Sequence, residues 1–409
     1  MLNRLSVSVL LKSVIAMLGA TVIIMLALGA RDSWTRLNTA NRISGVANVS
    51  AYMFTALNGL RVDRFSTARD LVNDRQFATL DPLIKAARDK EMPALNSLGS
   101  ALAIVDFSDR DQAIADLSSR TKRLADLQDK TAAAMAQPKA ERPAELSDAY
   151  GKEGDGLMAA LDSWGTRLVK YISLQDPYVD QLLEIKQLAW AMRNSAGNMS
   201  LVVSNGISGI APPPDALLGY NRNDAAFDTA WAAVQDIASR LPPSAGLTSA
   251  IDKVKTEFIG SGYPEQRLKV LKQLIAGEPT GLTVEQWSPN SVGKLALTLG
   301  VAIAALDAAK AQAAAQSALA WDDLLLQSGL LVVALVIAGG MMLLVTRRVT
   351  GPLNAIRGAM LKLAGGNFEV LVGFDVTPEM AAFNQAGKRF KVNSGTARAQ
   401  AAQAQPAPQ

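Results

Sequence analysis

An uncharged apolar run over residues 328–346 constrains this chain more than any other feature. Its sequence is SGLLVVALVIAGGMMLLVT. A helix needs about 20 such residues to cross the hydrocarbon core of a bilayer, so the run predicts a transmembrane helix. Arg347 and Arg348 follow it directly, and basic residues are enriched on the cytoplasmic side of such helices. We therefore expect the chain to leave the membrane at Arg347 and to continue in the cytoplasm.

A second apolar run, VIAMLGATVIIMLALGA, covers residues 14–30 near the N-terminus. It predicts another transmembrane helix, which we place at residues 13–30. The competing interpretation is a cleaved signal peptide, because the run ends in Leu-Gly-Ala. The helical pattern continues past this point without a turn signal, which favours the span. Trp34 and Trp321 lie at the predicted outer ends of the two spans, where an aromatic belt is expected.

The distribution of charge predicts how the chain crosses the membrane. The net charge of +4 divides into +2 over residues 1–30, −3 over residues 31–328 and +5 over residues 347–409. Because basic flanks stay in the cytoplasm, both ends are expected inside and the long middle outside. The excess of basic residues is thus a topology signal. The sequence has no basic patch with interleaved aromatic residues, so nucleic acid is not an expected partner.

The residues after the second span predict a short helix with a partner. Gly351 and Pro352 are followed by LNAIRGAMLKLA, which ends at two glycines. Its apolar positions are spaced three, four and three residues apart, which is the seam of a coiled coil. These seam positions are Leu353, Ile356, Met360 and Leu363. The alternative is a simple membrane anchor with a basic flank.

This region resembles a HAMP linker, the cytoplasmic relay of bacterial chemoreceptors and sensor kinases. The resemblance rests on the two arginines, on Pro352-Leu353, on the seam and on the run LAGGNFEV at residues 363–370, and it covers about a tenth of the chain. A second HAMP helix usually opens with an Asp-Glu-Ile-Gly-Glu-Met-like signature. The corresponding run here is DVTPEM, which keeps Glu379 and Met380 but replaces the first Glu, the Ile and the Gly. The resemblance implies a degenerate HAMP-like linker over residues 347–393.

Composition favours helices and excludes several classes of site. Hydrophobic residues make up 49% of the chain and aromatic residues only 5%, with abundant alanine, so we expect an all-α fold. The sequence contains no cysteine and no histidine. It therefore has no disulfide, no imidazole base, no histidine-ligated metal and no phospho-accepting histidine. No nucleotide-binding or nucleophile motif is present, so we expect no enzyme activity, catalytic residue, metal site or cofactor.

The middle of the chain predicts an elongated helical-bundle sensor domain. Its length is roughly twice that of one four-helix bundle, which favours two stacked or elongated bundles that share a long first and a long last helix. Within it we predict helix starts at Asp81-Pro82 and Asp176-Pro177, a kink at Met92-Pro93 and a loop over residues 279–290 that contains Trp287. The predicted organisation is a cytoplasmic N-terminus (1–12), a span (13–30), a periplasmic sensor domain (31–327), a span (328–346), a HAMP-like linker (347–393) and a disordered tail (394–409).

Three arginines are candidates for binding a ligand. Arg61 and Arg64 continue the apolar stripe of the first long helix, and a buried guanidinium needs an anionic partner. A ligand carboxylate would supply one with bidentate geometry. The alternative is pairing with carboxylates of a neighbouring helix or extension to the rim of the bundle. Arg193 lies beside Trp190; its alternative is an exposed charge next to a core tryptophan.

Residues 184–200, EIKQLAWAMRNSAGNMS, resemble the outer domain of some alphaproteobacterial methyl-accepting chemotaxis proteins. The two-span layout agrees with helical bimodular sensor domains of chemoreceptors. The resemblance implies a receptor in the bacterial inner membrane that binds a small ligand, often an organic acid, outside the cytoplasm. It also implies a homodimer or a mixed receptor oligomer that relays a conformational change through the linker.

The end of the sequence leaves a second function open. A chemoreceptor needs a long cytoplasmic hairpin to reach its kinase, and the residues up to Gln409 do not contain one. We therefore expect either a truncated receptor or a receptor-like membrane protein that has no output of its own and modulates full-length receptors. An extracytoplasmic helical enzyme on a membrane anchor is a third, weaker alternative.

Overall fold

The computed structural model describes residues 7–364 and positions 385, 389, 392, 393 and 396. The described residues form helices, turns and loops without any β-strand, so the predicted all-α fold is confirmed. The chain divides into two units. One contains Met1–Trp34 and Trp321–Gln409, and the other contains Thr35–Ala320.

Two very long helices connect these units in sequence. α1 covers Val7–Val72 and α9 covers Val284–Val345. Each contains an 18-residue window with a mean hydropathy of 2.4 or 2.5, almost none of which is buried. Both helices are therefore long and apolar enough to cross a membrane. In the first unit, a Cβ atom placed on Gly19 would lie 3.3 Å from the Cβ of Ala338, so the two apolar segments touch there through small residues.

The helix continues beyond the second apolar segment. A π-helical turn at Thr346–Thr350 leads directly into α10, Gly351–Ala364. Leu353 and Met360 are exposed on α10, as expected of seam positions in a single chain, and Leu363 belongs to the same helix. Glu379 and Met380 lie outside the described residues. The coiled-coil pairing and the HAMP-like character of this segment remain predictions.

The second unit consists of helices that pack around a common hydrophobic core. It combines parts of α1 and α9 with seven shorter helices. These are α2 (Pro82–Ile104), α3 (Arg110–Met135), α4 (Leu146–Ile172), α5 (Pro177–Ile207), α6 (Ala216–Arg240), α7 (Ala245–Lys253) and α8 (Tyr263–Ala276). Lys139–Glu141 forms a 3-10 turn, and Val254–Ile259 extends α7 as a π-helical turn. α2 packs on α3 and α3 on α4, while α5 packs on both α6 and α8.

Local sequence signals explain several helix starts. The carboxylates of Asp81 and Asp176 accept hydrogen bonds from backbone N–H groups at the starts of α2 and α5, and a proline follows each of them. An N-cap aspartate satisfies N–H groups that have no partner within the helix, and proline fits the first helical position. Both predicted starts are confirmed. The predicted apolar stripe of α1 is also buried, from Val46 to Leu60.

Met92-Pro93 does not break the helix, and one predicted loop is wrong. Pro93 lies inside α2, which continues to Ile104; Pro93 and Asp89 are both exposed residues, so they lie where water can replace the hydrogen bond that the proline removes. Trp287 lies in α9 and not in a loop, because α9 already begins at Val284. Thr283 Oγ1 accepts a hydrogen bond from the backbone N–H of Gln286 at 3.4 Å. The Gln286 side chain accepts one from the backbone N–H of Thr283 at 3.1 Å, and this reciprocal pair is a capping box.

Candidate functional site

A partly open cavity lies where α1, α5 and α9 meet, with one residue of α2 at its edge. It contains about 520 Å³ of empty volume, part of it open to solvent. Arginine and serine side chains dominate its polar lining. These residues are Arg61, Ser66 and Arg69 of α1, Arg193, Ser200 and Ser204 of α5, and Ser288 and Ser291 of α9. The cavity therefore presents N–H and O–H donors from three helices.

Arg193 is the most buried cation of this cavity, with 2% of its surface exposed. Its Nε and Nη2 atoms both donate to Oδ1 of Asn58, at 3.0 and 2.9 Å. Among the described residues it makes no ion pair. Burial, and to a smaller extent the positive charge of Arg61, lowers the pKa of Arg193 to about 9. The guanidinium is thus held in place by a neutral oxygen that does not balance its charge.

Arg61 is held in the same way. Its Nη1 donates to Oδ1 of Asn194 at 2.7 Å, and its Nη2 donates to Oδ1 of Asn198. Burial lowers the pKa of Arg61, and the more distant carboxylates of Asp162 and Asp155 only partly oppose this effect. Two desolvated guanidiniums next to a cavity form a site that attracts an anion.

Gly197 allows the two guanidiniums to come together. A Cβ atom at this position would lie 2.8 Å from Nη1 of Arg193 and 3.6 Å from Nε of Arg61. The first distance is too short for a carbon next to nitrogen, so a larger residue would displace Arg193. Gly197 is therefore part of the site although it has no side chain.

Hydroxyl groups form the other wall of the cavity. The phenol of Tyr263 is 3.0 Å from Oγ of Ser200 and 2.9 Å from Oγ of Ser291, so one tyrosine links α5 to α9. Arg69 also lines the cavity, but its charge is balanced. Its Nε donates to Asp70 at 2.8 Å, and its Nη2 lies 3.9 Å from Asp81.

The structure separates Arg64 from the other two predicted arginines. Its Nη2 forms an ion pair with Asp155 of α4 at 2.5 Å, and its Nε donates to the carbonyl of Gly151 at 3.3 Å. Three residues along a helix correspond to a rotation of about 300°, which turns Arg64 toward α4 while Arg61 faces α5. Arg64 therefore follows the alternative interpretation, in which the arginine pairs with a carboxylate of a neighbouring helix. The alternative for Arg193, an exposed charge, is wrong.

The sequence prediction missed the residues that hold the arginines. Asn58 precedes Arg61 by one helical turn, and Asn194 and Asn198 are one turn apart on α5. The run RNSAGN at residues 193–198 places an arginine, a glycine and two asparagines on adjoining faces of one helix. That concentration of amides beside a predicted site arginine was the available signal.

A second cluster of buried charge lies between α1, α2, α3 and α4. Asp63 accepts hydrogen bonds from Nε of Arg88 (3.0 and 3.1 Å), from Tyr150 and from Gln128 (3.2 Å). Gln128 also donates to Glu91. Burial and the charge of Asp63 raise the pKa of Glu91 well above 4.5. We call this cluster the Asp63 network.

Comparisons with known proteins do not assign this chain to a family. No protein-family model matches the chain, and no curated protein or solved structure is significantly similar to it. Within the described part of the chain, no three histidine, cysteine, aspartate or glutamate side chains gather in a way that could hold a metal ion. The case for a function therefore rests on the geometry of the cavity and on the two long apolar helices.

Proposed function

We propose that this protein is a transmembrane receptor of chemoreceptor type and that its Thr35–Ala320 unit binds a small organic anion. The observation that carries this proposal is the pair of guanidiniums of Arg61 and Arg193. Both border one cavity, burial lowers the pKa of both, and neither forms an ion pair with a carboxylate among the described residues. An anionic ligand would supply the missing charge.

A carboxylate suits this site better than a neutral ligand. A guanidinium donates two parallel hydrogen bonds to a carboxylate, and such charge-assisted bonds are stronger than neutral ones. Asn58, Asn194 and Asn198 fix both guanidiniums in advance, which reduces the entropy lost on binding. The hydroxyl groups of Ser200 and Ser291 would serve a second carboxyl or hydroxyl group of the ligand.

The long helices offer a physical route for a signal. Arg61 belongs to the same continuous helix as the first apolar segment, and Ser291 to the same helix as the second. A ligand that draws α5 toward α1 and α9 would shift or rotate these helices as rods. We propose that they cross the bacterial inner membrane with the sensor unit in the periplasm, and that a HAMP-like seam beginning at Pro352 passes the motion on within a homodimer or a mixed receptor oligomer.

Ligand binding tests the proposal directly. We would record thermal unfolding of the full chain in lipid nanodiscs with a panel of mono- and dicarboxylic acids. At least one acid should raise Tm by several degrees, because a ligand that binds only the folded state stabilises it. Arg61→Met, Arg193→Met and Gly197→Ala should abolish that rise, whereas Arg64→Met, which lies outside the cavity, should retain it. A panel without any stabilising acid, or equal effects of all four variants, would contradict the proposal.

Membrane topology needs a separate experiment. Because the chain contains no cysteine, single cysteines can be introduced without a background signal. Thr229→Cys on α6 and Asn354→Cys on α10 are both exposed positions. A membrane-impermeant maleimide added to spheroplasts should label Thr229→Cys, and it should reach Asn354→Cys only after lysis. Labelling of both before lysis, or of neither, would exclude the proposed topology.

A further inference from the structure

A second cavity lies between α1, α4 and α5. It contains about 650 Å³ of empty volume and is partly open to solvent. Charged, hydroxyl, amide and aromatic side chains all line it, among them Ser50, Phe54, Asp162, Lys186, Trp190 and Asn194. The first cavity and this one share no lining residue. The proposed anion site does not use this space.

Two polar groups of this cavity are buried without a partner. Lys186 is 2% exposed and makes no hydrogen bond or ion pair with any residue that the structure describes. Its Nζ lies 5.3 Å from the centre of the Phe54 ring, and burial lowers the pKa of Lys186 to about 8. Ser50 is 1% exposed, and its Oγ has no hydrogen-bond partner. Leaving such groups unpaired is costly, so their position at a cavity indicates a polar occupant.

Asp162 supplies the opposite charge in the same cavity. Burial raises the pKa of its carboxyl group, while Arg61, Trp190 and Lys186 act in the other direction. Lys186 and Asp162 attract each other but do not form a direct ion pair, and both line the cavity. The rings of Phe54 and Trp190 lie 5.1 Å apart at an angle of 60° and form an aromatic wall beside it.

We infer that this second cavity binds a free α-amino acid. The ligand carboxylate would pair with Lys186 and accept a hydrogen bond from Ser50. Its ammonium group would pair with Asp162 and lie against the aromatic rings, which attract cations. One positive and one negative side chain match a zwitterion, whereas the two unbalanced guanidiniums of the first cavity match an anion. The two cavities therefore differ in the class of ligand that each would take.

Calorimetry on the full chain in nanodiscs tests this inference with matched ligands. We would titrate each proteinogenic amino acid, beginning with glycine and L-alanine. Propionate and ethylamine then serve as controls, because they are alanine without its amino group and without its carboxyl group, respectively. We expect at least one amino acid to bind and its two truncated analogues to bind at least about tenfold more weakly. No binding of any amino acid would mean that water alone occupies the cavity, and the inference would fall.

Variants identify which cavity the amino acid occupies. Lys186→Met, Lys186→Gln and Asp162→Asn should each abolish binding, while Ser291→Ala in the other cavity should retain it. Circular dichroism and Tm check that each variant is folded, and the comparison of ligands on the wild-type protein does not depend on the variants. Binding that survives in the Lys186 and Asp162 variants, or that is lost in Ser291→Ala, would overturn the assignment. Because this result does not depend on an organic acid, it is separate from the test of the proposed function.

Discussion

Two clusters of buried charge lie two residues apart on α1 and differ in how they are neutralised. Around Asp63, the guanidinium of Arg88 supplies a direct counter-charge, and Tyr150 and Gln128 complete the hydrogen bonds. Around Arg61 and Arg193, only amide oxygens take part, and a cavity borders the pair. A buried charge thus indicates a ligand site when the side chains that contact it are neutral and empty space lies beside it.

The largest expected effect is on the Asp63 network. Arg88→Met would leave the buried Asp63 without its counter-charge, and we expect a loss of about 3–5 kcal/mol in the free energy of unfolding. The control is Lys85→Met, because Lys85 pairs with Asp89 on the surface of the same helix and should cost less than about 1 kcal/mol. Chemical denaturation followed by circular dichroism measures both. Equal losses would show that the network is no different from a surface ion pair.

A glycine tests how tightly this network is packed. A Cβ atom on Gly59 would lie 2.6 Å from the Cβ of Glu91 and 3.1 Å from the carbonyl oxygen of Ala87. We expect Gly59→Ala to cost about 1–3 kcal/mol, because α1 and α2 would have to separate. Gly219→Ala on α6 meets no atom within 4 Å and should instead stabilise the helix by up to about 1 kcal/mol. The same denaturation experiment compares them; a neutral Gly59→Ala would contradict close packing.

The Asp63 network should also make stability depend on pH. The pKa of Glu91 is raised in the folded state above 4.5, so the folded protein keeps a proton that the unfolded chain releases. The stabilisation is complete below pH 4.5 and is lost as pH rises toward the folded-state pKa, with a slope of up to about 1.4 kcal/mol per pH unit. Glu91→Gln, which cannot ionise, should flatten this part of the curve. An unchanged slope in the variant would show that another group releases the proton.

The smallest expected change in stability belongs to the proposed anion site. Arg193→Met removes two hydrogen bonds to Asn58 but also removes an unbalanced buried charge and its repulsion from Arg61. These effects oppose each other, so we expect the free energy of unfolding to change by less than about 1 kcal/mol. Denaturation without ligand measures it. A loss as large as that of Arg88→Met would mean that Arg193 is a structural residue, and the contrast between the two clusters would disappear.

Local patterns predicted the fold better than the site. The all-α class, the starts of α2 and α5 and the buried stripe of α1 follow from helical spacing and from N-cap residues, which act within a few positions of the chain. The start of α9 carries such a signal as well, since Thr283 and Gln286 have capping-box spacing. It was missed because the proline, glycine and threonine content of residues 279–290 predicted a loop, although Pro289 lies inside α9.

The partners of the site residues depend on contacts between helices that lie far apart in the sequence. The spacing on α1 predicted that Arg61 and Arg64 face the bundle, but which neighbour each one meets depends on the packing of α4 and α5. Asn194 is 133 positions from Arg61, and no local rule connects them. Lys186 was missed because a lysine in an amphipathic helix is ordinarily exposed.

The π-helical turn at Thr346–Thr350 affects the rotational position of α10 about its helix axis. A π-helical turn holds one residue more than an α-helical turn, and each residue of an α-helix turns the chain by about 100°. If this turn changed to regular α-helix, α10 would swing by roughly that angle about its own axis. Leu353 and Ile356 would then face different neighbours without any change in the length of the second apolar segment. Deleting Val349 would fix one of these two angular settings, and inserting a residue there would move α10 by a similar step in the opposite sense.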